Sequence, residues 1–95
     1  MKTKTVYTNA LKYAKRIIIV WDEYTDGSLY IGLYTMKGEP YADITTNLGE
    51  TECPFAYVEA NTDAEAFVRE QKLGEYCKIT TGNAFKTYHM YKFAM

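Results

Sequence analysis

The side chains able to do chemistry are few and dispersed. One histidine, His89, and two cysteines, Cys53 and Cys77, lie on three separate stretches of a 95-residue chain. Zinc sites draw ligands from short paired spacings, and none occurs here, so no metal is expected. Cys77 with His89 as its base would make a nucleophile–base pair, but neither has a local orienting partner. His89 stands among Tyr88, Met90 and Tyr91 and reads as a packed or surface strand position. Asp22, Glu23 and Asp26 cluster at what reads as a hairpin end. Carboxylate-pair hydrolysis needs a cleft between two acids, and a solvated turn explains these three better. Gly27, Gly32 and Gly38 fall on turns or mid-strand and not before a helix, so no phosphate loop is expected. The chain therefore reads as non-enzymatic and without a cofactor, and Cys53 and Cys77 as free, buried or half-buried thiols.

Tyrosine is the larger resource. Ten are present, too many for a small core, so several must lie at the surface as rigid amphipathic contacts. Tyr30 and Tyr34 share the strand face opposite Leu29, Ile31 and Leu33. Single-stranded nucleic acid stacks on such rings where Arg and Lys are interleaved. Residues 22–48 hold only Lys37 against five acids. Recognition of a protein fits the charge better. The candidate partner-binding residues are Tyr30, Tyr34, Asp22, Glu23, Asp26, Tyr88 and Tyr91.

The elements that position these residues follow from alternation. Residues 17–21, Ile-Ile-Ile-Val-Trp, suit a buried pleated surface. Asp26-Gly27 is a strong hairpin dipeptide. Residues 29–34 alternate cleanly, and Lys37-Gly38-Glu39-Pro40 supplies a second turn. Residues 41–48 resume the pattern, with Ala42, Ile44 and Leu48 inward and Asp43, Thr45 and Asn47 outward. The result is a three-stranded antiparallel meander. Gly32, inside a strand, marks a bulge or a close approach; a ring laid across it, that of Tyr41 or Trp21, is expected. Residues 55–59 read as a strand. Thr62-Asp63-Ala64-Glu65 is a capping box opening a helix over 63–73, with Ala64, Phe67 and Val68 as its apolar stripe and Gly74 as its left-handed stop. Residues 76–81 and 84–93 read as strands around Gly82-Asn83. In residues 1–16, Lys2 to Tyr7 suits a strand; for Asn9 to Arg16 a short helix capped by Asn9 is favoured over a frayed basic arm.

Ninety-five residues make a single small domain. The longest apolar run is five residues, too short for a membrane span or a secretory signal, and a cytoplasmic location is expected. The net charge of −1 conceals segregation. Residues 1–16 carry five cations and no acid. Residues 22–75 carry all twelve acids against three cations, a net of −9, and residues 76–95 add three lysines. Either the segments lie side by side and neutralise each other, or an acidic face is presented to a basic partner.

Several stretches carry a family resemblance. They are Leu29-Tyr30-Ile31-Gly32-Leu33, Lys37-Gly38-Glu39-Pro40-Tyr41-Ala42, Ile44-Thr45-Thr46-Asn47-Leu48 and Ala56-Tyr57-Val58-Glu59-Ala60-Asn61-Thr62. Phe67-Val68, Leu73-Gly74, Gly82, Tyr88 and Met90-Tyr91-Lys92-Phe93 complete the match. Over about residues 24–93 the chain resembles the bacterial family called domain of unknown function 4313. The family usually has proline where His89 stands, and residues 1–16 match poorly. The resemblance implies a small α+β domain carried on mobile elements or prophages, and no activity.

These readings converge on an α+β fold, an antiparallel sheet with an N-terminal meander and one α-helix packed on one face. The expected function is that of a small interaction protein encoded by a mobile element or phage. It would bind a host protein, in a counter-defence role, through its tyrosine-rich acidic surface. Nucleic-acid binding through the basic termini is the alternative, and a small enzyme ranks last.

Overall fold

The structure, a computed structural model, describes residues 1–49 and 51–94. Four antiparallel strands form the first sheet in the order β1-β2-β3-β4: β1 Lys2–Tyr7, β2 Arg16–Glu23, β3 Leu29–Tyr34 and β4 Pro40–Asp43. The meander holds because its register brings like faces together. Ile19 lies opposite Leu33 and Trp21 opposite Ile31, and all four are buried. The turns differ in detail from a two-residue hairpin. Gly27 N–H donates to the Tyr24 carbonyl and Tyr24 N–H to the Ser28 carbonyl. Gly27 (φ 85°) and Gly38 (φ 84°) take the left-handed position, while Asp26 and Lys37 do not. A three-residue loop closed by a left-handed glycine suits the strand twist.

Two expectations in this sheet are corrected. Residues 9–16 form no helix. β1 pairs with β2 from Lys2–Trp21 to Tyr7–Arg16, and the irregular link that follows drops Leu11 into the core. So short a segment gains more from docking than from its own helical hydrogen bonds. The alternation beyond Asp43 also breaks. Ala42 and Leu48 are exposed, whereas Thr45 is buried with Ile44. The Ile31 carbonyl accepts from both Ile44 N–H and Thr45 N–H, and Ile31 N–H donates to Thr45 Oγ1. The Thr45 side chain thus substitutes for a ladder bond and turns inward.

The remaining strands form a second sheet, so the chain has two sheets of four and three strands. β5 Phe55–Glu59, β6 Gly74–Gly82 and β7 Thr87–Phe93 are antiparallel in the order β5-β7-β6. A bridge between Thr46 and Tyr57 joins the two sheets. Helix α1, Asp63–Glu70, connects β5 to β6. Its Phe67 and Val68 are completely buried, in one apolar cluster with Ile17, Ile19 and Ile31 of the first sheet and Val58, Tyr91 and Phe93 of the second. Thr62 is the N-cap, accepting from Glu65 N–H at 3.3 Å. The helix stops three residues short of the expected end. Lys72 (φ 53°) takes the left-handed position, with Lys72 N–H donating to the Arg69 carbonyl and Leu73 N–H to that of Val68, the Schellman pattern. Gly74 opens β6 instead, and a Cβ there would lie 2.7 Å from the Lys92 carbonyl oxygen.

Candidate functional site

The alternation that buries Leu29, Ile31 and Leu33 puts Tyr30, Gly32 and Tyr34 on the face turned away from the helix. Tyr30 and Tyr34 are both half-buried. The Tyr30 ring, and not that of Tyr41 or Trp21, crosses Gly32: a Cβ at position 32 would lie 2.0 Å from Tyr30 Oη. Tyr30 Oη donates to Asp43 Oδ1 at 2.9 Å and lies 3.5 Å from Tyr34 Oη. Burial, then the contacts with Tyr34 and Asp43, raise the Tyr30 pKa. Tyr24 meets Tyr30 edge-on with centroids 5.4 Å apart. Cross-strand pairs share a face, so Asp22, opposite Tyr30, and Asp43, opposite Gly32, flank the rings.

The other candidates separate. Glu23 lies opposite Leu29 and so belongs to the helix side of the sheet. Asp26 locks its turn, accepting from Ser28 N–H, Ser28 Oγ–H and Asn47 Nδ2–H; the Ser28 bonds come first among the causes that lower its pKa. Tyr88 is half-buried on the second sheet. Tyr91 is a correction: at 1% exposure it is a core residue, because β7 turns its His89-Tyr91-Phe93 face toward the helix. Cys53 and Cys77 are free; Cys77 is half-buried as expected, whereas Cys53, in the loop before β5, is exposed.

A second cluster joins residues that sequence separates. Glu65 is 3% exposed, yet its carboxylate is fully partnered. Oε1 accepts from Asn61 N–H at 2.9 Å. Oε2 lies 2.6 Å from His89 Nδ1 and accepts from Tyr91 Oη–H at 2.9 Å. Arg69 Nε donates to Tyr91 Oη at 3.0 Å, with Nη2 3.6 Å from Glu65. Burial raises the Glu65 pKa, but the bonds from Asn61, His89 and Tyr91 outweigh it and leave it lowered. The Tyr91 hydroxyl moves up, mainly through burial. In the expected capping box Glu65 would return to Thr62 N–H; it reaches one residue further and spends its other oxygen on β7. The Tyr76 ring packs on His89 at 4.6 Å. The arrangement anchors the helix to the second sheet. Among the described residues no three His, Cys, Asp or Glu side chains gather as a metal site, and no helix is long and apolar enough to cross a membrane.

A protein-family model described as "Domain of unknown function (DUF4313)" matches residues 19–95. The chain belongs to the DUF4313 family. No curated protein and no solved structure matched it. The matched span contains both clusters of this DUF4313 chain and omits β1. The Glu65 cluster had a sequence signal of its own: a glutamate at the edge of the helix's apolar stripe, three residues before Val68, and His89 and Tyr91 two apart on one strand face.

Proposed function

We propose that this DUF4313 chain is a small non-enzymatic interaction protein, encoded by a mobile element or phage. It docks a basic segment of a host protein on the outer face of its first sheet. The observation that carries this reading is the Tyr30–Tyr34 pair, half-buried on the face away from the helix, with Asp22 and Asp43 beside it. Aromatic rings held rigid by neighbours lose little entropy on binding and dominate interface energetics. Carboxylates at their rim select a cationic partner and speed encounter.

The test is affinity capture from a bacterial host lysate with the parent chain, a Tyr30→Ala/Tyr34→Ala variant and an Asp22→Lys variant. A specific partner is expected with the parent, lost with the double variant and weakened by Asp22→Lys or by added salt. Both variants should give the same circular dichroism as the parent. Capture of the same partner by the double variant overturns the reading.

A further inference from the structure

The basic residues that sequence scatters over three segments meet at one cleft. A cavity of about 580 Å³ lies where the end of α1 meets β6 and β7, with Arg69, Lys72 and Lys92 in its wall. A smaller one of about 160 Å³ runs between the helix end and the inner face of β1 and β2, lined by Lys2, Lys4 and Lys72. Lys72 and Ala94 line both, so the two cavities adjoin at the helix end. Among the described residues, five cations line the two cavities against a single acid, Glu75. Among the described residues Lys2, Lys4, Lys72 and Lys92 make no ion pair, and Arg69 alone has one, to Glu65.

Backbone geometry sets this arrangement. The left-handed turn at Lys72 points the chain out of the helix, and Gly74 lets β6 close against the Lys92 carbonyl. The cleft also has aromatic walls. Tyr76, 36% exposed, lines the larger cavity with one side packed on His89 and Tyr91. Trp21 lines the smaller, with Lys2 Nζ 4.9 Å from its ring centroid.

We infer that this cleft binds a phosphate-bearing small molecule of nucleotide size, its phosphates among Lys2, Lys4, Lys72 and Arg69 and its ring against Tyr76. The larger cavity falls within the ordinary range for small-molecule sites. Lysines without an ion pair among the described residues, beside an arginine, can receive phosphate. A short phosphate chain meets only this local charge. A long nucleic-acid strand would also meet the acidic segment 22–75, which carries a net of −9, and that contrast favours the small ligand.

Trp21 is the only tryptophan, so its fluorescence reports on the cleft. The full chain is titrated with ATP, inorganic triphosphate, adenosine and an oligothymidine at near-physiological ionic strength. Saturable binding is expected for ATP and for triphosphate and none for adenosine, with the oligothymidine weaker than ATP. Lys72→Glu, at an exposed position shared by both cavities, should weaken ATP and triphosphate by about tenfold or more, and Lys2→Glu/Lys4→Glu should do the same. Lys37→Glu, on the distant β3–β4 turn, should change nothing. Tyr76→Ala should weaken ATP more than triphosphate. Absence of saturable binding by both phosphates, equal weakening by Lys37→Glu, or tighter binding of oligothymidine than of ATP would each overturn the inference.

Discussion

At position 32 the strand has room for nothing larger than hydrogen on its outer side, because the Tyr30 ring occupies that space to reach Asp43. The constraint is reciprocal and gives a prediction whose sign changes with context. Gly32→Ala must displace the ring and break the Tyr30–Asp43 bond, a loss of about 1 kcal/mol. In a Tyr30→Ala background the same substitution should stabilise by roughly 0.5–1 kcal/mol, since glycine loses more backbone freedom in a strand than alanine does. Denaturant unfolding of the four proteins measures both steps; equal losses in the two backgrounds would show that the ring does not exclude the Cβ. A ring over Gly32 was legible from a glycine in an alternating strand. Its owner was not, because the neighbour two residues away and rings from other strands satisfy the same pattern.

Helix α1 is short, eight residues, and a helix of that length is marginal without tertiary packing. Its stability should therefore rest on Phe67, Val68 and its cap. Phe67→Ala should cost about 3–5 kcal/mol, the range for a fully buried ring, and Thr62→Ala about 1 kcal/mol. Thermal melts separate the two; a Phe67→Ala protein melting within a few degrees of the parent would contradict this packing. The cap, the stripe and the strand β5 were all readable locally. The helix stop was not. Gly74 looked like the left-handed residue, yet Lys72 takes it, because Gly74 is needed where β6 passes the Lys92 carbonyl.

The two sheets are held to the helix by carboxylates on different sides of it. Glu65 reaches His89 and Tyr91 of the second sheet, while Glu70 accepts from Thr8 Oγ1–H and Asn9 N–H in the link between β1 and β2. Both have pKa values below the ordinary 4.5. For Glu65 the bonds from Asn61, His89 and Tyr91 override the burial that acts the other way; for Glu70 the Thr8 bond leads. A carboxyl whose folded pKa is depressed binds protons more readily when unfolded. Its stabilising contribution is present above 4.5 and disappears as pH falls below that value through the folded pKa. Stability should fall on acidification through this window. Glu65→Gln and Glu70→Gln should each flatten the slope, and Glu65→Gln should also cost about 1–3 kcal/mol at neutral pH through the buried polar groups it leaves without their charged partner. Urea unfolding as a function of pH tests this, and an unchanged slope in both variants would remove the carboxylates as its source. For a domain of this size, total stability is of order 5–15 kcal/mol, so these losses are large fractions of it.

The amino-acid sequence by itself determined the α+β class, the meander, the outward pair Tyr30 and Tyr34, and the capped helix, because each depends on periodicity and turn chemistry within a few residues. Tertiary structure alone decided that the strands divide into two sheets bridged at Thr46 and Tyr57, and that Lys2 to Tyr7 is an edge strand. It also decided that Tyr91 is core and that Glu65 meets His89 across 24 residues of chain. The same holds for the basic cleft, where Lys2 and Lys4 of the first strand meet Lys72 at the end of the helix. Such meetings depend on how whole elements pack. Local periodicity states which face a residue is on, and leaves open which distant face it will meet.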